Sequence, residues 1–235
     1  MDLKECEILG DRQDEHWYYA GKLGALMRCL DQPPERILDV GAGSGFFARK
    51  LLERTAARTA VCVDTGYDVE RDEHVGSKPI RFRRSAAADE SDLVLMMDVI
   101  EHVDDDVGLL AQYAASARPG TRFVVSVPAF PWLWSAHDEF LEHRRRYTRR
   151  TLIDAVSAAG LRPVASFYFF AAIFPAVVAR RFWQRRRAAA QAASDLRRHH
   201  DLTNRLLTGI CLAESAVARH NRFGGLTAFA VSVKD

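Results

Sequence analysis

Cysteine is scarce and scattered: Cys6, Cys29, Cys62 and Cys211 are the four in 235 residues, and no two stand in CxxC spacing. That excludes a disulfide framework and a thiolate zinc knuckle, and reads as reduced cytosolic thiols. No run of about 18 uncharged apolar residues occurs, which argues against a membrane-spanning helix. The nearest approach is VASFYFFAAIFPAVVA, residues 164–179, closed by Arg180 and Arg181. The opening MDLKECEILGDRQDEHWYY is polar and acidic, so no signal peptide is expected. Internal repeats and low-complexity tracts are absent too. A net charge of only +2 leaves little long-range attraction to polyanions.

That small net charge hides a partition. Residues 171–222 carry ten arginines against Asp195, Asp201 and Glu214, a local balance of +7, so the remainder of the chain is acidic. With 48% hydrophobic residues there is material for a substantial core. Short apolar runs at 36–40, 59–64, 80–84, 92–100, 122–128, 161–170 and 226–235 read as seven strands. Segments 15–30, 46–56, 105–118 and 149–159 have helical spacing. Strands alternating with helices predict an α/β domain: a seven-stranded, mostly parallel sheet with helices on both faces. The long stretch before the last strand, rich in Ala, Leu and Arg, predicts an inserted helical hairpin. The expected organisation is therefore a core over 1–170 with an N-terminal lid helix, a basic helical insertion over 171–222, and the final strand of the core over 223–235.

ILDVGAGSGFF carries the strongest chemical signal. Asp39-x-Gly41-x-Gly43-x-Gly45 follows a strand and leads into a helix, where glycines let a ligand lie against the main chain. The spacing is GxGxG, not the GxGxxG of a dinucleotide fingerprint. Asp64 ends the next strand, where a carboxylate accepts from ribose hydroxyls in either kind of nucleotide cofactor. Asp39 fits a cationic, amino-acid-like ligand better than it fits a nicotinamide dinucleotide.

These residues resemble a class I S-adenosylmethionine-dependent methyltransferase of the small-molecule type. ILDVGAGSG is similar to that family's first motif, VCVD to its second, and DLVLMMDVIEHVDDD to its F-D-x-V-x-x-x-x-V-L-E-H-V stretch. EHWYYAGKL resembles the aromatic segment of a bacterial subgroup that often reads H-W-W-Y followed by a basic residue. The resemblance implies a Rossmann-like fold and S-adenosyl-L-methionine as cofactor. It places Asp39, Gly41, Gly43 and Gly45 along the methionine and ribose, and Asp64 with Thr65 at the ribose diol. Met97 and Asp98 fall beside the transferring methyl, Trp17, Tyr18 and Tyr19 over the cofactor, and Lys22 at its carboxylate. Ser85 and Ala86 fall at the adenine, although Ser85 stands where the family usually has an acid.

WLWSAHDEFLEHRRRY, residues 132–147, follows the fifth strand of the seven and so falls at the carboxyl edge of the sheet, over the ligand crevice. The subgroup has a similar H-D-x-x-x-x-H-x-R-R-Y segment there, which implies a substrate lid. Trp132, His137, His143, Arg144, Arg145 and Tyr147 are then the acceptor-binding candidates, with Arg144–Arg146 suited to an anionic group. His137, His143 and Asp98 are the catalytic candidates, because a hydroxyl acceptor needs a proton acceptor. His102 reads better as a loop-holding residue, and Asp104–Asp106 as helix N-terminal charge. No metal is expected: His137, Asp138 and His143 do not share one helical face. Aromatic residues beside the arginines of 171–222 leave open a peripheral contact with an anionic membrane, a homodimer surface, or packing on the core. Nucleic acid is not the expected partner, since the basic and aromatic cluster is local. The expected protein is cytoplasmic, or peripheral at the inner face of the membrane. It methylates a small-molecule or lipid-linked acceptor, preferably at oxygen. The alternatives are a nucleic-acid or protein methyltransferase, and an inactive cofactor-binding scaffold.

Overall fold

The computed structural model describes residues 10–185 and 200–235. Cys6 and Arg186, Arg187, Arg197 and Arg198 of the basic segment lie outside the described residues. The chain runs α1 (Trp17–Cys29), β1 (Arg36–Val40), α2 (Phe46–Arg54), β2 (Thr59–Val63), β3 (Arg71–Val75), β4 (Lys78–Arg83) and β5 (Leu93–Met97). It continues through α3 (Asp106–Ser116), β6 (Arg122–Pro128), α4 (Ala136–Phe140), α5 (Arg149–Ala158), β7 (Arg162–Phe169), α6 (Phe174–Arg185), α7 (Asp201–Ser215) and β8 (Thr227–Val233).

One sheet holds the strands in the order β3-β4-β2-β1-β5-β6-β8-β7. The five central strands are parallel, while β3, β8 and β7 join antiparallel. The sheet thus has eight strands among the described residues, one more than the seven expected. The addition, β3, reads RDEHV and pairs with β4 around Gly76. It is an edge strand with both faces largely wet, so it carries no alternating apolar signature. β5 by contrast is LVLMM, buried at every position, as a strand covered on both faces should be.

Helices cover both faces. α1 and α2 pack one side through Tyr19, Leu26, Phe47 and Leu51, together with Phe167 and Phe229 of the sheet. α3 and α5 cover the other through Leu110, Leu152 and Val156. α7 is not a free arm, because it lies against α1. A Cβ at Gly21 would come 2.7 Å from the Cβ of Cys211, so glycine is what lets these two helices approach.

β1 lies between β2 and β5, and the chain crosses from one half of the sheet to the other at that point. A crevice forms outside the carboxyl ends of strands at such a switch point. Three non-glycine residues with positive φ sit along this edge: Asp98 (φ 56°) after β5, Phe130 (φ 60°) after β6 and Phe170 (φ 63°) after β7. Backbone held in that region is costly and tends to gather at functional sites.

Candidate active site

The turn after β1 is built by φ alone. Gly41, Gly43 and Gly45 have φ of 64°, 55° and 75°, so the backbone between β1 and α2 turns with no side chain over it. A Cβ at Gly41 would stand 2.6 Å from Cγ2 of Val99, in addition to its strained φ. The Asp64 carboxylate straps this turn, accepting from the amide of Gly43 at 3.0 Å and from that of Gly66 at 2.9 Å. Behind it Asp39 is buried and accepts from the amide of Ala48 at 3.3 Å. Burial pushes the Asp39 carboxyl up to about 7, partly offset by that hydrogen bond.

Beside the turn lies a cavity of about 380 Å³, within the range of small-molecule sites. Trp17 and Tyr18 of α1 wall one side, with Phe47, Leu141 and Leu226. Ile173 and Val177 of α6 and Leu207 of α7 add more apolar lining. The charged and imidazole groups are Asp98, Glu101, His102, His137, His143, Arg146, Arg180 and Arg181. Tyr18 stacks on Phe170 at 5.2 Å between ring centroids, and Trp17 meets the same ring edge-on at 5.6 Å.

Two ion networks organise the polar part. Lys22 is fully buried and its ammonium donates to Asp98 Oδ2 and to the Tyr18 hydroxyl, while the Tyr18 hydroxyl donates to Asp98 at 3.1 Å. Burial pushes the Asp98 carboxyl up, but the neighbouring Lys22 charge and the hydrogen bonds from Lys22 and Tyr18 outweigh it and hold it below the usual carboxylate range. The second network centres on Asp138, which is fully buried. Arg146 grips it in a fork, Nε to Oδ1 at 2.6 Å and Nη2 to Oδ2 at 3.0 Å. His143 Nδ1 meets Oδ1 at 3.0 Å, the Ser135 amide donates to Oδ2 at 2.8 Å, and Arg181 of α6 approaches Oδ2 at 3.8 Å. Arg181 also donates to the carbonyl of Leu133. Burial raises the Asp138 carboxyl, yet the hydrogen bonds from His143 and Arg146 win and hold it well below its ordinary value.

Glu101 is treated differently. It is fully buried, and neither carboxylate oxygen has a hydrogen-bond partner among the described residues. Burial, and then the charge of Asp98, push its carboxyl well above the ordinary range.

Of the residues singled out from the sequence, Trp17, Tyr18, Tyr19, Asp98, His137 and His143 line the cavity. Tyr19 is 1% exposed and packs on Phe46 and Phe47, so its ring is chiefly core. Lys22 has its charge engaged by Asp98. Met97 is buried at the end of β5. The turn glycines, Asp39, Asp64 and exposed Thr65 sit at the neighbouring edge and do not line the cavity; neither do exposed Ser85 and half-buried Ala86 after β4. Trp132 is 44% exposed and stacks on Phe182 at 6.3 Å. Arg144 points to Asp104 at 3.5 Å, and Arg145 ties the carbonyls of Val103 and Asp104. Tyr147 is buried and donates to Asp106 at 2.6 Å. These last three brace the 103–106 loop and do not reach the cavity. Glu101, Arg146 and Arg181 do reach it and were not selected individually as site residues. The arginine of the triplet that faces inward, Arg146, cannot be told from its neighbours by spacing alone.

A glycine turn at the switch point, an acid after the next strand and a cavity at the same edge define a nucleotide-cofactor α/β enzyme domain. A family described as a methyltransferase domain matches residues 15–166. The chain belongs to this family, and S-adenosylmethionine is the cofactor that the resemblance of its motifs implies. The chain is similar to the ubiquinone biosynthesis O-methyltransferase of Aeromonas salmonicida (strain A449), 26% identical over a 105-residue alignment that covers 39% of this chain. It spans only 42% of the length of that relative. Among solved structures it shares its fold with a SAM-dependent methyltransferase from Archaeoglobus fulgidus (TM-score 0.58, 16% identity, 99% of this chain and 98% of that one). It also shares it with the Burkholderia thailandensis 1,6-didemethyltoxoflavin-N1-methyltransferase with bound S-adenosylhomocysteine (TM-score 0.52, 17% identity, 92% and 78%).

The residues fit the cofactor. The main chain between Gly41 and Gly45 turns without side chains over it, Asp64 stands at the end of β2 beside that turn, and the aromatic wall of α1 stands by the cavity next to it.

Proposed function

We propose that this protein transfers the methyl group of S-adenosylmethionine to an oxygen of a small-molecule or lipid-linked acceptor held in the 380 Å³ cavity. The observation that carries this reading is the make-up of that cavity: a largely apolar hollow with Asp98 at one wall and His102, His137 and His143 gathered on another. When bound, the sulfonium supplies an electrophilic methyl, so alignment and exclusion of water do most of the work. Asp64 would take the ribose hydroxyls with the lone pairs left over from its two amide bonds, and Trp17 with Tyr18 would close over the cofactor. Asp98 and Lys22 act as one neutralised pair that sets the field at the methionine end. His137 is the proton acceptor for the acceptor hydroxyl. His143 is held in one ring orientation by Asp138, and Arg146 and Arg181 favour an acceptor that carries an anionic group.

The test is to incubate the protein with methyl-labelled cofactor and a cell extract, then fractionate the product. Label is expected in a small-molecule or lipid fraction; label confined to RNA, DNA or protein sinks the reading. His137→Gln is expected to lower kcat roughly a hundredfold, with cofactor affinity by calorimetry unchanged.

The lipid-linked half of the proposal draws on the surface beside the cavity. Phe182 and Trp183 of α6 and Leu202 and Leu206 of α7 are all more than half exposed, next to Arg180 and Arg205. No helix among the described residues is long and apolar enough to cross a membrane. Such a surface suits peripheral contact with an anionic leaflet, which would be the inner face of the membrane. The protein is expected to sediment with vesicles containing anionic phospholipid, less so at high salt, and Phe182→Ser with Trp183→Ser should weaken this several-fold. Equal sedimentation without vesicles would instead favour self-association through α6 and α7.

A further inference from the structure

We propose that Glu101, His102 and His143 form a binding site for a divalent transition-metal ion on the wall of the acceptor cavity. One donor atom from each residue lies within 4.8 Å of the other two. An ion about 2.1 Å from each donor needs them within roughly 4.2 Å of one another, so the widest pair must close by less than about 1 Å. Ring centroids of His102 and His143 are 4.8 Å apart, nearly perpendicular at 75°, and both residues line the same cavity as Glu101.

Charge supplies an independent reason. Three carboxylates stand in or beside this cavity. Asp98 is matched by Lys22, and Asp138 by Arg146. Glu101 has no ion pair among the described residues, and both of its oxygens are buried without a hydrogen bond. A fully buried carboxyl left in that state costs free energy unless a ligand meets it. A cation placed against it removes that cost.

The surroundings of His143 match those of a metal ligand. Its Nδ1 is held by Asp138 Oδ1 at 3.0 Å, which leaves Nε2 as the nitrogen to offer to an ion. A carboxylate fixing the far nitrogen of a ligating histidine sets the tautomer and strengthens the donor. Asp138 is in turn fixed by Arg146 and by the amide of Ser135, so the support is rigid. The Arg144 amide donates to the Glu101 carbonyl at 2.7 Å and ties the two segments carrying the ligands together. One carboxylate and two imidazoles form a mixed N/O set that suits zinc, manganese, cobalt or ferrous ions and leaves coordination positions open. An ion there lowers the pKa of an acceptor hydroxyl placed against it, so that His137 needs to accept a proton from a far more acidic group. This departs from the expectation of no metal, which weighed His137, Asp138 and His143 on one helical face: the proposed site uses Glu101 and His102 from a distant segment.

The experiment uses the apo protein with the metal alone. After chelation and dialysis, cobalt(II) is titrated while visible absorption and calorimetry are recorded, and the titration is repeated with zinc and manganese. About one equivalent of ion is expected, with a cobalt absorption band typical of nitrogen and oxygen ligands. Glu101→Gln and His102→Asn should each weaken affinity at least tenfold, while affinity for S-adenosylhomocysteine stays within about twofold as a check on folding. Absence of stoichiometric binding, or binding equal in the wild type and both variants, overturns the site. Methyl release from an ion-free, chelated preparation is a separate readout. If it persists while the metal titration fails, the methyltransferase reading stands and this inference falls.

Discussion

Replacing Asp138 with alanine is expected to cost about 3–5 kcal/mol of folding stability at pH 7, the scale for breaking a buried pair from one side. Five groups converge on this one carboxylate: the guanidinium of Arg146, the ring of His143, the amide and hydroxyl of Ser135, and Arg181 at longer range. Without it Arg146, only 8% exposed, keeps a charge with just the Ala129 carbonyl to bond, and α4 loses its capping box. The loss has a definite pH dependence. The folded-state carboxyl lies below its unfolded value near 3.9, so its contribution is complete above that value and disappears as pH falls through the lower folded pKa. Urea unfolding should therefore show a gap between wild type and Asp138→Ala that is widest above about pH 5 and narrows in acid. A gap that is constant with pH, or smaller than about 1 kcal/mol, would show that Asp138 is not the hub of the 132–147 segment.

Lys22→Met is expected to be nearly as damaging, about 2–4 kcal/mol, a melting temperature lower by roughly 5–12 °C at this chain length. Lys22 is 0% exposed, and its ammonium is the cation facing Asp98, whose carboxylate is 22% exposed. Removing it leaves Asp98 with only the hydroxyls of Tyr18 and Ser126, close enough to Glu101 that each raises the cost of charging the other. The double variant Lys22→Met/Asp98→Asn should recover at least half of the loss, because the stranded charge goes with the pair. A double variant no more stable than the single one would mean that Lys22 contributes by packing and not by charge. Cofactor affinity is expected to fall in the single variant, since the Tyr18 hydroxyl loses its hydrogen bond from Lys22.

The candidate site was legible wherever it is built from neighbours in the chain. Asp39, the three glycines and Asp64 announce themselves because a turn after a strand needs positive φ at closely spaced positions, a local requirement. Trp17 and Tyr18 came instead from the resemblance of EHWYYAGKL to a family segment, which no spacing rule supplies. Within WLWSAHDEFLEHRRRY the split was not legible. His137, His143 and Arg146 turn inward while Arg144, Arg145 and Tyr147 brace the 103–106 loop, and nothing in the spacing distinguishes adjacent arginines.

The sequence by itself determined the order of seven of the strands and of the helices between them, and the glycine turn, because apolar periodicity and glycine placement act over a few residues; the methyltransferase family followed from the resemblance of its motifs. Only the tertiary structure decided the rest. It added β3, whose polar RDEHV is stable as a strand only because β4 supplies its hydrogen-bond partners. It laid α7 on α1 through Gly21 and Cys211, 190 positions apart in the chain, which makes part of the arginine-rich insertion a wall of the cavity. It paired Lys22 with Asp98, set Asp138 among its cations, and left Glu101 buried beside His102 and His143. Each of these is a balance between desolvation and charge, and that balance exists only once distant side chains have been brought out of water together.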